Sequence, residues 1–228
     1  MTRCIQHQDF DTEAFGVPFF RVSTFNQLQL EEELASLIVR RPLIIDAKVP
    51  ADLVDIGRLL QRYGFRKVCT QIELTREIAA RNGGNSEVSI QDKMELSEDV
   101  VRAHARNFLY SRFRLDPKLP REGAERLYCN WIRNSISGGS KKVVCLGNNF
   151  CTFAEMPDVT RIDLVSVLDK RQGVASALLS ALFEHGYENH RRLIEVVTEC
   201  ENKPAWQLYL KNGFTLIRFY SAFHFVSI

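Results

Sequence analysis

The sequence predicts an α/β fold, and three observations carry that prediction. Strand-like segments alternate with amphipathic helical ones along most of the chain. Two apolar runs, KKVVCL and FCTFAEM, are separated by Gly147-Asn148-Asn149, as in a hairpin. A helical segment that runs into Gly-Phe and then a strand occurs twice, as ADLVDIGRLLQRYGF and NKPAWQLYLKNGF.

Each element has a local cause. PLIIDAKV (42–49) is strand-like, and ADLVDIGRLLQRYG (51–64) puts Leu53, Ile56, Leu59, Leu60 and Tyr63 on one helical face, with Gly64 as its cap. FRKVCTQIELT (65–75) alternates as a strand. The run 81–86, RNGGNS, stops helix and strand alike and marks a boundary between an N-terminal unit, 1–82, and a larger one, 86–228. SEVSIQDKM (86–94) then reads as a strand, and SEDVVRAHARNFL (97–109) as a helix capped by Ser97. A proline-containing loop, 111–120, leads to a helix over 121–136. TRIDLVSVL (160–168) is a further strand, followed by a long helix from about Gly173 to His190. LIEVVTE (193–199) is a strand, NKPAWQLYLKNG (202–213) a helix, and FTLIRFYSAFHFVSI the closing strands. That last stretch is apolar enough to complete its own sheet or to pair across a homodimer. The repeated helix–Gly-Phe–strand phrase suggests that the N-terminal unit is a truncated copy that extends the same sheet.

Composition excludes several classes. The 228 residues are 45% hydrophobic and 25% charged, with a formal net charge of +2, so no basic excess recruits nucleic acid or an anionic membrane. No apolar run approaches the roughly 20 residues that span a bilayer. The first residues are polar and acidic, without a signal-peptide or lipidation pattern, which points to a cytoplasmic protein. The six cysteines are scattered without metal-ligand spacing, so they read as small apolar residues and no metal is expected. Cys200 alone falls beside the segments that carry chemistry.

Two such segments stand out. In VSVLDKRQGVASALL (165–179) a strand turns into a helix through a loop with Gly173 and the small Ala175. Small residues there let backbone N–H groups approach an anion, and the helix dipole points its positive end at the same place, which suits a pyrophosphate. The same pattern also fits a plain strand–helix connection. In ENKPAWQLYLKNGF (201–214), Asn202, Ala205 and Tyr209 share one helical face. A phenol of pKa about 10 holds its proton at neutral pH and can donate it to a thiolate; core packing with a satisfied hydroxyl is the other reading.

Taken together, the two segments resemble the acyl-CoA motif of the GNAT N-acetyltransferases, Gln/Arg-x-x-Gly-x-Gly/Ala, followed by that superfamily's N-x-x-A-x-x-x-Y-x-x-x-G-F. The second is matched by Asn202, Ala205, Tyr209, Gly213 and Phe214. The first is matched at Gly173 and Ala175, with Lys170 in place of Gln or Arg. The resemblance implies a GNAT fold, with a mixed, mostly antiparallel central sheet flanked by helices. It implies acetyl-CoA as co-substrate, its pantetheine pairing with the main chain of Val165, Ser166 and Val167. Lys170 and Arg171 and the helix start at Gln172, Gly173, Val174, Ala175 and Ser176 would hold the pyrophosphate. Asn202 and Ala205 would meet the cofactor arm, and Tyr209 would protonate the departing sulfur. The reaction would be direct amine attack, with a backbone N–H of a bulged strand near Val167 at the oxyanion.

A closer likeness covers nearly the whole chain. FGVPFFRV (15–22), Ser111-Arg-Phe-Arg114 and Tyr128-Cys-Asn-Trp131-Ile resemble the TDP-fucosamine acetyltransferases, which acetylate the amino group of a TDP-4-amino-4,6-dideoxy sugar for surface-glycan synthesis. By that likeness the loop and helix carrying these residues select the acceptor. Arg112 and Arg114 suit a nucleotide diphosphate, and Phe113, Tyr128 or Trp131 suit a sugar or base, although each aromatic is equally at home in a core. Glu155 or Asp163 is placed to take the amine's proton, while His104, His185, His190 and His224 show no partner pattern. Other acceptors (a protein N-terminus, a lysine, a small amine) and a non-catalytic CoA-binding role stand as alternatives.

Overall fold

The structure, a computed structural model, describes residues 3–79 and 87–228, so the boundary expected at 81–86 lies outside the described residues. The N-terminal part consists of β1 (Ile5–His7), α1 (Asp9–Phe15), β2 (Phe19–Val22), α2 (Gln27–Leu37), β3 (Leu43–Pro50), α3 (Val54–Arg62) and β4 (Arg66–Glu77). The remainder begins with β5 (Ser89–Gln91), α4 (Glu98–Asn107), α5 (Arg112–Leu115) and α6 (Arg121–Ile136). It continues with β6 (Lys141–Leu146), β7 (Asn149–Glu155), β8 (Val159–Ser166), α7 (Val174–Glu188), β9 (Leu193–Glu199), α8 (Lys203–Lys211) and β10 (Thr215–Ser227).

The described strands form a mixed, mostly antiparallel sheet of ten, in the order β1-β2-β3-β10-β4-β9-β8-β7-β6-β5. Two parallel pairs, β2 with β3 and β8 with β9, sit on either side of the antiparallel β10–β4 pair. The chain follows one path twice: β2-α2-β3-α3-β4 and β8-α7-β9-α8-β10. Each path sends its last strand into the other's half, β10 between β3 and β4 and β4 between β10 and β9. The repeated sequence phrase is therefore α3–β4 and α8–β10. With the Gly-Phe pairs superposed, Leu53 and Leu60 stand where the second copy has Asn202 and Tyr209. The first copy's helix is thus apolar where the second carries polar groups.

Three apolar clusters fix the layers. One joins α1, α4, α5 and α6 to one face of the sheet through Phe15, Phe19, Phe113, Leu127 and Phe150. On the other face, α2 and α3 pack through Leu34, Leu59 and Phe225, and α7 and α8 through Leu178, Leu182, Ile72 and Phe153. The approach of α1 to α6 is close enough that a Cβ on Gly123 would lie 2.5 Å from Phe15, so glycine is required there.

Some elements differ from expectation. The loop 111–120 contains α5, closed by Arg114 and Leu115 N–H bonds to the Ser111 carbonyl and anchored by the buried ring of Phe113. The strand expected over 86–94 is only the short β5. The closing strands are one, β10, paired on both sides along part of its length and bulged twice against β4. It completes its own sheet.

Candidate active site

The parallel pair β8–β9 is the origin of the site. Its register holds from Val159–Leu193 to Arg161–Glu195 only, and beyond that the two strands diverge. A cleft of about 990 Å³ opens there, lined by Val165, Ser166 and Val167 from one side and Val196, Val197 and Thr198 from the other. Side chains hold β8 away from β9. His104 of α4 is fully buried, with Nε2 2.8 Å from the Asn148 carbonyl and Nδ1 2.7 Å from Ser166 Oγ. The carbonyl requires a donor, so Nε2 carries the proton and Ser166 donates to Nδ1. Burial lowers the His104 pKa despite the Asn148 bond, in keeping with a neutral ring. Asn107 Nδ2 donates to the Val167 carbonyl. The hydroxyl of Thr152 accepts the Leu164 N–H beside a bulge in the β7–β8 register, which places the irregularity at Asp163 rather than near Val167.

The loop after β8 curls through two left-handed residues, Arg171 at φ 64° and Gly173 at φ 78°. Arg171 in that region is a strained conformation for a side-chain-bearing residue. Gly173 caps α7, and nothing lies within 4 Å of where its Cβ would be, so the helix start faces open space. The first-turn N–H groups of a helix lack intrahelical acceptors. Lys170, Arg171, Gly173, Val174, Ala175 and Ser176 all line the cleft. Gln172 instead lines a shallow depression outside it, with Gly147 and Asn149. Asn149, read in the sequence as a turn residue, is buried at the head of β7, where it accepts the Leu168 N–H (2.8 Å) and donates to Asp169 (2.8 Å). It ties down the loop's entry.

From α8, Asn202, Ala205 and Tyr209 all line the same cleft. Asn202 does not cap its own helix; its amide points to Thr198 Oγ1 at 3.4 Å. Tyr209 is 5% exposed and lies edge-on to Phe214. Burial, with Cys151 and Glu199 nearby, pushes its phenol above the usual range, so it stays protonated at neutral pH. Cys200 beside it is half-buried, with its thiol pushed up by burial, and does not line the cleft. Among the described residues no set of His, Cys, Asp and Glu converges as a metal site.

The residues expected to hold the acceptor divide. Tyr128 and Trp131 line the cleft, but Tyr128 already stacks on Phe108 (4.5 Å) and Trp131 (5.6 Å). Phe113 is 2% exposed, packed against Phe15, Phe19 and His224, and belongs to the core rather than the cleft. Arg114 is also outside it and donates to the Ala105 carbonyl. Arg112 reaches the cleft edge with its charge already spent, because Nε and Nη2 both donate to the buried Asp46. α5 packs on the sheet through Phe113 and Arg112, while Arg114 turns to the α4 carbonyl of Ala105.

The two carboxylates expected as bases also separate. Glu155 lies outside the cleft, paired with Lys142, His185 and Arg191. Asp163 lines the cleft but accepts from Trp131, Ser135 and Lys141. The sequence reading missed the cleft's floor. Lys48, Gln71, Glu73, Glu195, Glu199 and Tyr220 line it from β3, β4, β9 and β10. The alternation of Gln71, Glu73 and Thr75 with Ile72 and Leu74 was the signal, a strand with one wet face.

Residues 150–214, from β7 to the end of α8, match the family described as "Acetyltransferase (GNAT) family". This chain contains a GNAT acetyltransferase domain. It is 27% identical over 135 residues to the "Spore coat polysaccharide biosynthesis protein SpsD" of Bacillus subtilis (strain 168), covering 56% of this chain and 47% of that protein. The chain thus spans about half the length of that curated relative. Among solved structures, a GCN5-related N-acetyltransferase from Sphaerobacter thermophilus superposes with a TM-score of 0.58 at 14% identity, over 97% of this chain and 76% of that one. A functionally unknown conserved protein from Staphylococcus epidermidis ATCC 12228 superposes with 0.65 at 13% identity, over 100% and 93%. At these identities the GNAT domain shares its fold with both. Acetyl-CoA, the co-substrate of GNAT family acetyltransferases, has a fitting place here: a gap between diverging strands, closed at one end by the unobstructed start of α7.

Proposed function

We propose that the chain is an acetyl-CoA-dependent N-acetyltransferase whose acceptor is the amino group of a nucleotide-linked amino-deoxy sugar. The acceptor class is a TDP-4-amino-4,6-dideoxyhexose made for surface-glycan synthesis. The observation that carries the reading is a single cleft that runs from the α7 start, past Tyr209, onto a polar floor walled by Trp131. A relative named for spore coat polysaccharide biosynthesis supports a sugar acceptor.

In this reading the α7 start and its basic loop bind the pyrophosphate, and Val165, Ser166 and Val167 present main-chain groups to the pantetheine. Acetyl-CoA supplies the activated acyl group. The free amine's lone pair forms the new C–N bond as the C–S bond breaks. Tyr209 gives its phenolic proton to the leaving sulfur, and a proton leaves the nitrogen to solvent or a cleft carboxylate, which balances the transfer. Trp131, fixed by its Nε1–H bonds to Asp163 at 3.1 and 3.2 Å, provides a rigid apolar wall for the sugar ring. Residues 1–82 serve as a partial copy that adds Lys48, Gln71 and Glu73 to the cleft and 86–228 as the catalytic unit, a division supported by the repeated path β2-α2-β3-α3-β4 and β8-α7-β9-α8-β10. The cytoplasm suits the six unpaired cysteines.

The test incubates the protein with acetyl-CoA and TDP-4-amino-4,6-dideoxygalactose, its glucose epimer or a peptide, following thiol release and product mass. Acetylation of one sugar nucleotide is expected. Acetylation of the peptide alone would replace the acceptor assignment.

A further inference from the structure

The floor of the cleft is charged, and most of its charges are cancelled in place. Arg161 pairs with Glu195 at 2.9 Å and Lys141 with Asp163 at 2.7 Å. Arg112 pairs with Asp46 at 3.0 Å. Glu73 accepts the uncharged Tyr220 hydroxyl at 2.6 Å, and two further charges on the acceptor side form no ion pair among the described residues. One is Lys48, whose ammonium lies 4.0 Å from the centre of the Tyr220 ring and, among the described residues, forms no ion pair. The other is Glu199, whose Oε1 accepts two uncharged donors, Gln71 Nε2 (3.1 Å) and the Arg112 N–H (3.2 Å). Its Oε2 makes no hydrogen bond among the described residues.

These two charges stand at opposite ends of the trough. Glu199 ends β9 beside the divergent strands, while Lys48 is on β3, with β10 and β4 between them. The register Lys48–Ala222, Tyr220–Gln71 and Gln71–Glu199 keeps both on one face of the sheet. At about 4.8 Å per strand, β3 and β9 are roughly 14 Å apart.

We infer that the trough is a two-ended charge-recognition site, in which Glu199 receives the acceptor's amino group and Lys48 binds a phosphoryl group carried by the same molecule. This rests on the proposed nucleotide-sugar reading and gives it residues, replacing Arg112 and Arg114 as the diphosphate contact. The ring of Tyr220 holds the ammonium in position without neutralising it. Burial pushes the Lys48 pKa down to about 8, aided by Arg112 and Arg161 and opposed by Glu73 and Asp46. An incoming anion relieves that desolvated charge. Glu199 is the charge-bearing partner for an amine at the strand divergence, and its acetyl-accepting end is thereby distinguished from the anionic end. A polyamine, with no anion, satisfies only one end.

The experiment uses the full chain with CoA saturating, so that the Gly173 loop is filled, and measures calorimetric binding of thymidine diphosphate and of inorganic pyrophosphate. Thymidine diphosphate is expected to bind the wild type and to bind Lys48→Met about tenfold or more weakly, with unchanged CoA affinity and melting temperature. Lys48→Arg, which keeps the charge, should retain most of the affinity. Glu199→Gln should leave thymidine diphosphate binding intact while raising KM for the amino sugar. Equal binding by wild type and Lys48→Met, or no binding of either probe, overturns the inference. If binding depends on Lys48 but no amino-sugar nucleotide is acetylated, the anion end stands and the acceptor assignment falls. If the sugar is acetylated at the same KM by Lys48→Met, the assignment stands and the inference falls.

Discussion

Removing the Asp46 carboxylate should cost about 3 kcal/mol of stability. The side chain is 1% exposed and accepts from Arg112 Nη2 and Arg21 Nε at 3.0 Å and from Arg112 Nε at 3.3 Å. His224 Nε2 lies 3.5 Å away, at ion-pair rather than hydrogen-bond distance. Breaking a buried pair by deleting one partner costs about 3–5 kcal/mol, because the other charge is left unmatched. The lower end applies here: His224 keeps Asp116 at 2.9 Å and Arg21 keeps Asp11 at 3.6 Å, so only Arg112 is left without an ion-pair partner. For a chain of this size about 3 kcal/mol lowers Tm by roughly 6–12 °C. Thermal and urea unfolding of Asp46→Ala, followed by circular dichroism at neutral pH, measures it. The double variant Asp46→Ala/Arg112→Met removes the stranded charge and should recover at least about 1 kcal/mol. A loss below about 1 kcal/mol, or no recovery in the double variant, refutes the reasoning.

The same network predicts a pH profile. Burial would raise the Asp46 carboxyl, but Arg112, His224 and Arg21 together hold it well below the usual range. Burial likewise opposes Asp116, which His224, the Lys118 N–H and Arg66 hold down to about 2. Folded values below the unfolded value near 3.9 mean that both contributions are complete above about pH 4 and are lost as pH falls through the folded values. His224 has the opposite sign. Burial lowers its pKa, but Asp116 and Asp46 raise it overall, so its contribution is complete below about 6.5 and is lost as pH rises through its folded value. Asp46→Ala should therefore flatten the acid limb of stability.

Other expectations are more local. Tyr209→Phe should lower kcat by about 10²–10⁴-fold while leaving the acetyl-CoA dissociation constant nearly unchanged, and single-turnover kinetics separate the two. Gly173→Ala forces a Cβ into the left-handed region at φ 78°, at about 1–2 kcal/mol, and should weaken acetyl-CoA binding about tenfold in calorimetry. His104→Ala strands the buried Ser166 hydroxyl and the Asn148 carbonyl; it should cost about 1–3 kcal/mol by urea unfolding and raise the acetyl-CoA dissociation constant as β8 relaxes.

The α/β order, most element positions and the grouping of the α7 and α8 residues that line the cleft were legible in the sequence, and the physical reason is locality. Gly173, Ala175, Asn202, Ala205 and Tyr209 lie on two helices that start or run beside the same strand pair, so short-range periodicity already placed them on common faces. The floor of the cleft was decided by tertiary structure alone. Lys48, Gln71 and Glu199 share one face of the sheet only because β10 pairs β3 with β4 and β4 in turn pairs with β9. Arg112 and Phe113 were legible as chemistry but not as packing. Whether an arginine meets a substrate or an aspartate depends on what lies across the sheet, and here Asp46 and His224 were already there. Residue type declared which groups can act; the fold chose which of them still have a charge to spare.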